Sequence, residues 1–555
     1  MKTIMALSIG VCFFAAIETA PGQSSYVSPG GDDTNSGSQA QPWRTLAKAA
    51  ATATAGDTVF IMEGVYEERL LPQNSGSPGM YITYTAYTGA AATIDGANLT
   101  VPQYSGLVDL AGRQYIRISG LRIMNSNEAG ILSDGTNDII IEGNSVTNTG
   151  SSGIGVWASR NILIRGNTVQ LACTSGDQEC ISVAGTDSFI VSNNVVIDCK
   201  KEGICLKDGS SNGEALLNYV HHSDHVGIYI DAWDKHTFNI DVHRNLVHDI
   251  ALKNGIMVAS EQGGQLENVR FFNNISRHNA FDGLGISACC PGADHHPIRN
   301  VIIANNTFFG NGTSGWGGGI GVQNNPDLEG IVIRNNISSQ NLSFQIMVDF
   351  AAMGSSVAVD HNLIDGFRNE EFEVRGDDFV EADPLFVETS MSDFHLRSGS
   401  PAIDAGSPLE APAQDYDGNN RPSGSGMDIG AFERQGSTPV EELRPNAPDG
   451  IQLFQNYPNP FSESTTIGYS MNEDDRISAN AGSHGTNSPA LSKQTSGISL
   501  KVYDLLGREV LDLTDFLQGR NDVRIHASEL PAAGLYIYQL RTGKYVQRKA
   551  MLLMK

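Results

Sequence analysis

From Tyr115 onward, short runs of β-branched and aliphatic residues alternate with polar corners, and the corners recur. NILIRGN, VIIANN and IVIRNN are typical, each apolar at alternate positions and closed by Gly-Asn or Asn-Asn. Alternation at period two marks a strand with one buried face. The closing Asn falls at 144, 167, 194, 218, 245, 274, 306, 336 and 362. A second marker, Gly-Ile opening another short strand, falls at Gly130, Gly153, Gly203, Gly227, Gly255, Gly285 and Gly319. Cys180-Ile181 and Gln345-Ile346 take its place in two repeats. Helical repeats need longer segments of period 3.6, and the leucine-rich frame is absent. The pattern therefore predicts an all-β parallel β-helix, a solenoid with two or three strands per coil. Ile and Val fill its interior and Asn stacks at its corners.

The flanks follow different patterns. Residues 1–24 read as a signal peptide: Lys2, an apolar run from Ile4 to Ile17, then small residues. Residues 25–114 read as an N-terminal cap and first coils, with a short amphipathic helix over Arg44–Thr54. The β-helix repeats occupy 115–382, and a Gly-, Pro- and Asp-rich cover follows over 383–434. A linker over 435–450 leads to a separate small β-sandwich over 451–555, interrupted by a polar insert at 472–496 that is expected to be disordered.

Sixty glycines in 555 residues and only 18% charged residues suit a turn-rich exported β protein. The net charge of −26 argues against nucleic acid as a partner. No segment after the signal reaches about 18 apolar residues, so no transmembrane segment is expected in the mature chain. Export permits disulfides, and a Cys173–Cys199 staple between neighbouring coils is weighed against free buried thiols.

Three segments resemble known families. YVSPGGDDTNSGSQAQPWRTLAKAA resembles the N-terminal cap of secreted right-handed parallel β-helix proteins of the pectate-lyase-like superfamily. DPLF, DFHL, GSPAIDAG, DYDGNNRP and DIGAFE resemble the closing segment of the same proteins. QNYPNPF, KVYDLLGREV and GLYIYQL are similar to the C-terminal sorting domain of the type IX secretion system of Bacteroidetes-type bacteria. The resemblance implies a right-handed solenoid, export by the type IX machinery, and a secreted or surface-attached monomer. It also implies a polysaccharide partner, an acidic glycan being favoured.

The candidate chemistry lies between Cys199 and His236. Aligning Gly203-Ile204 with Gly227-Ile228 stacks Cys205 on Tyr229 and Lys207 on Asp231, on an exposed face. Lyases of the superfamily abstract a uronate C5 proton and need a base and a group that neutralises the carboxylate, often calcium. The catalytic candidates are Lys207 or Tyr229 as base, with His225 and Asp231. Asp208 and Asp231 are candidate calcium ligands, and Lys201, Glu202, Trp233, Asp234 and Glu261 candidate substrate contacts. Against this stands a plain surface ion pair between Lys207 and Asp231, worth about 0–1 kcal/mol. A polysaccharide lyase is the first expectation. A β-helix glycoside hydrolase would instead use Asp208, Asp231 and Glu202 or Glu261 as paired carboxylates. A C5-epimerase would share the lyase's first proton abstraction, and a non-catalytic solenoid would bind surface glycans as an adhesin. His221 and His222 read as loop residues, and Cys289-Cys290 with His295-His296 matches no zinc spacing.

Overall fold

The structure, a computed structural model, describes residues 22–288, 295–353 and 356–435, and stretches of strand between 452 and 553. Residues 1–21 of the expected leader, the linker after 435, the insert expected at 472–496 and the Cys289-Cys290 pair lie outside the described residues. The chain divides into two compact units, residues 1–387 with 394–434, and 435–555 with a short piece at 388–393.

In the first unit three sheets of parallel strands, of 14, 13 and 10 strands, wind about one core. The ten-stranded sheet carries the marker Ile residues in strict register. Ile154, Ile181, Ile204, Ile228 and Ile256 stack one on the next, and each is wholly buried. Each such side chain contributes roughly 1.5–3 kcal/mol of hydrophobic stabilisation. The stack continues through Leu284, not Ile286, because Leu284 pairs with Ile256 and Gly285 with Met257. The expected Gly285-Ile286 marker is therefore two residues late; Gly283-Leu284 is the true one. A two-residue slip preserves the facing of every side chain, which is why the alternation hid it.

The closing Asn residues form one continuous buried ladder from Asn144 to Asn362. Asn274 is representative. Its Oδ1 accepts the backbone and side-chain N–H of Asn245 at 3.1 and 2.9 Å, and its Nδ2 donates to Asn306 Oδ1 and to the Val242 carbonyl. The residue before each ladder Asn has positive φ, as at Gly143, Gly166, Asn193, Asn273, Asn305 and Asn335. Gly, and Asn less easily, adopts that backbone at least steric cost, and six of the nine corners read Gly-Asn or Asn-Asn; Leu217, Arg244 and His361 hold the same φ before Asn218, Asn245 and Asn362. In three of the Asn-Asn corners the first Asn does a second job. Asn273, Asn305 and Asn335 donate to the carbonyls of Gln414, Asp428 and Ser407, tying residues 407–433 to the coils. Within that cover Arg421 and Glu433 form an ion pair at 2.9 Å with both side chains fully buried.

At the N-terminal end a helix, Leu46–Thr52, buries Leu46, Ala49 and Ala50 and is capped by the Thr45 side chain, which accepts from the Lys48 N–H. The disulfide joins Cys180 to Cys199, not Cys173 to Cys199. Cys173 remains a buried thiol with its sulfur 3.8 Å from that of Cys180.

In the second unit two antiparallel sheets, of three and four strands, share a core that includes Ile467, Tyr469, Leu500, Tyr538, Leu540 and Met551. No described helix is long and apolar enough to cross a membrane.

Candidate functional site

Four neighbouring strands of the ten-stranded sheet, Ile181–Ala184, Ile204–Lys207, Ile228–Ala232 and Ile256–Ser260, set out the candidate residues. Cys205, Tyr229 and Met257 form one outward column. In the next, Ala184 pairs with Lys207 and Asp231 with Ala259. The face is outward but not open. Tyr229 is 7% exposed, Asp231 4% and Glu261 7%. Tyr229, expected on an exposed face, packs instead with Cys205, Val226, Ala259 and Met257 in a small apolar cluster of its own.

Lys207, expected beside Asp231, binds Glu179 instead. Its ammonium lies 2.7 Å from Glu179 Oε1, and Ser182 Oγ donates to the other oxygen of that carboxylate. Burial alone would pull the Lys207 pKa down, but the neighbouring Cys205 and Glu179 more than offset it and hold it above the usual lysine range. Lys207 is a fixed cation, not a free base. Glu179 escaped sequence reasoning although the signal was there. It precedes Cys180-Ile181, as Glu202 precedes Gly203-Ile204, so the repeat puts it on the same edge of the same sheet.

Asp231 is the most perturbed carboxyl. Burial first, then the charges of Glu261 and Asp208, push its pKa up to about 9, against the pull of Lys207. Its Oδ1 is buried without a hydrogen-bond partner. Glu261 faces it from the end of the next strand and accepts the Tyr229 hydroxyl hydrogen bond. Backbone contacts hold the two carboxyl-bearing loops together. The Trp233 carbonyl accepts the N–H of Gln262 at 2.7 Å and of Gly264 at 3.1 Å, and Thr237 Oγ1 donates to the Asp231 carbonyl at 2.9 Å. Gly264 is obligatory there, since a Cβ would come within 2.2 Å of the Ala232 carbonyl oxygen.

The remaining candidates divide. Asp208 joins the cluster, its pKa raised by burial and its Oδ1 also without a partner. His225 lies 3.4 Å from Glu202, with Lys201 4.0 Å from the same carboxylate, in an adjoining charged group. Trp233 is 44% exposed beside Asp231, and Asp234 is exposed on the same loop. Asp208 and Asp231 do approach one another, but among the described residues no group of three or more His, Cys, Asp or Glu is arranged to hold a metal ion. A calcium ion, which prefers six to eight oxygen ligands, does not fit that pair. His221 is buried rather than a loop residue; it stacks on His248 at 5.0 Å, and burial lowers its pKa to about 3.

Residues 25–178 match the family described as "Pel9A-like, right handed beta helix region", and residues 455–554 match "Secretion system C-terminal sorting domain". Residues 25–178 are thus a Pel9A-like stretch of a right-handed parallel β-helix, and the chain ends in a type IX sorting domain. It is accordingly secreted or held at the cell surface. The pectate-lyase-like match ends before the strands that carry the carboxylate cluster. Over 449 residues the chain is 29% identical to "Uncharacterized protein YwoF" of Bacillus subtilis (strain 168), covering 70% of this chain and 93% of that one. Among solved structures it is similar to pectate lyase Pel9A, at 17% identity and a TM-score of 0.47, over 75% of this chain and 98% of that one. It is also similar to the complex of XylC with xylose, at 13% identity and a TM-score of 0.42, over 74% and 99%.

Proposed function

We propose that this protein is a glycoside hydrolase acting on a neutral polysaccharide, with Asp231 and Glu261 as its carboxylate pair. The observation that supports the reading is a buried pair of carboxyls on neighbouring coils, of which Asp231 holds its proton at neutral pH. Glycosidic hydrolysis needs one carboxyl to protonate the leaving oxygen and a second, ionised, to attack the sugar or activate water. Burial and the neighbouring charge of Glu261 keep the proton on Asp231, and the Tyr229 hydroxyl orients Glu261.

The elimination expected from the resemblance asks for a neutral base and a free positive group. Lys207 is charged and committed to Glu179, and Tyr229 already donates to Glu261. A uronate would bring another carboxylate to Glu179, Asp208, Asp231 and Glu261, which disfavours a polyanionic substrate. Neutral sugar hydroxyls can bond to the same groups without that repulsion.

The test is a panel of soluble neutral glycans and polygalacturonate, with calcium and with chelator, following reducing ends and the ultraviolet absorbance of unsaturated uronate. Reducing ends from a neutral glycan without absorbance, unaffected by chelator and lost in Asp231→Asn and in Glu261→Gln, support the reading. Absorbance rising with reducing ends on polygalacturonate would establish elimination and overturn it.

A further inference from the structure

Outside the carboxylate cluster, two aromatic rings on the same sheet face take no part in the cleavage. Trp157 ends the strand Ile154–Trp157 and belongs to the outward column of Lys207. It pairs with Asp134 on one side and Ala184 on the other, and Ala184 pairs with Lys207. The column therefore runs from the exposed Asp134 through Trp157 and a single small residue to the cluster. Trp157 stands three coils from Asp231, about 14 Å at the ordinary interstrand spacing. Its indole leans back over Gly155, whose Cβ position lies 3.6 Å from Trp157 Cε2. Tyr104 meets it edge-on, with ring centroids 6.5 Å apart at 69°.

Tyr104 is 66% exposed and holds φ at +58°, a backbone a bulky residue rarely adopts. Neither ring fills the core; Trp157 is half-buried and Tyr104 is open to solvent. A half-buried indole and an exposed phenol beside the exposed Asp134 carboxylate suit a sugar ring, whose apolar C–H face stacks on an aromatic while its hydroxyls donate to oxygen.

We infer that Tyr104, Asp134 and Trp157 form a distal subsite that binds a sugar unit of a neutral glycan threaded along this face, remote from the bond that is cut. The inference rests on the hydrolase reading for its direction along the chain of sugars, but the subsite can be measured by binding alone. It makes the protein selective for polymers over short glycosides, because only a long glycan reaches both Trp157 and Asp231.

The experiment uses the full-length exported protein carrying Asp231→Asn, so that binding is read without turnover, and soluble arabinoxylan, glucomannan and polygalacturonate as probes in affinity electrophoresis. Adding Trp157→Ala weakens binding of a neutral polymer about tenfold. Trp157→Phe, which keeps a flat ring, retains most of the affinity, and Val65→Ala, an exposed apolar residue of another sheet, changes nothing. In the otherwise native chain Trp157→Ala lowers kcat/KM on the polymer but leaves a short aryl glycoside unaffected. Unchanged polymer binding by Trp157→Ala overturns the subsite, as does an equal loss on the short glycoside. A parent that binds neither neutral polymer overturns it as well. Residual hydrolysis by Asp231→Asn would instead sink the carboxylate assignment, and the binding comparison would still decide the subsite.

Discussion

Replacing Asp231 by asparagine removes a buried carboxyl without changing its shape. In the folded chain its pKa is pushed from 3.8 up to about 9, burial being the largest cause and the charge of Glu261 the next. Unfolded, the same group ionises near 3.9. Between those values the folded state holds a proton that the unfolded state has lost, so stability is fully present below about pH 4 and falls as pH rises toward 9. At about 1.4 kcal/mol for each pH step, the cost accumulated by pH 7 is on the order of 4 kcal/mol. That is a ceiling, because Asp208, whose pKa burial also raises, lies close enough to take part in the same proton uptake. The Asn side chain cannot ionise and escapes the cost. Wild type and Asp231→Asn should therefore unfold together near pH 4, with the variant ahead by about 1–3 kcal/mol at pH 7 and the gap widening toward pH 9. Thermal unfolding across that range, read as the difference between the two chains, isolates this carboxyl from Asp282 and Asp428, whose pKa values burial also raises. Parallel curves, or a variant that is less stable at pH 7, would refute the reasoning.

The ladder, the cover and the disulfide give further expected outcomes. Asn274→Ala strands the amides of Asn245 and the carbonyl of Val242 and should cost about 3–5 kcal/mol, while Asn300→Ala in the exposed amide ladder should cost only about 1 kcal/mol, chiefly from its left-handed backbone. Chemical unfolding of the two variants side by side checks the contrast. Glu433→Gln leaves Arg421 charged and buried and should destabilise the cover by about 3–5 kcal/mol, seen as faster proteolytic nicking between 400 and 434. Cys199→Ser opens the 19-residue loop that ends beside Glu179 and should cost about 3 kcal/mol in unfolding under non-reducing conditions, with no effect if the cysteines are unpaired in solution.

Much of the fold could be read from the chain because two local rules repeat. Buried Ile at alternate positions and a corner whose φ favours Gly or Asn before the ladder Asn both leave residue-level marks, and the ladder from Asn144 to Asn362 was visible in full. The Leu284 register was not, since a shift of two keeps the facing of every residue. The site was legible as a place but not as a set of contacts. Alignment put Lys207, Tyr229 and Asp231 on one face, yet it carries no information on how far a long side chain reaches. Lys207 could pair with Asp231 or cross the sheet to Glu179, and the choice depends on rotamer and desolvation. Burial of Tyr229 was hidden for a similar reason. Of the residues that cover it, Met257 lies on the next coil and Val226 just before the same strand, and together they form a second apolar patch outside the solenoid core.

The most direct test of the carboxylate pair is the mass of the products formed in heavy-oxygen water from a neutral glycan. Hydrolysis through Asp231 and Glu261 predicts that every new reducing end carries one added water with the heavy label. That signal should disappear in Asp231→Asn and Glu261→Gln and persist in Tyr229→Phe at reduced rate. Products lighter by one water, formed only from a uronate polymer and lost in Tyr229→Phe while Asp231→Asn stays active, would contradict it.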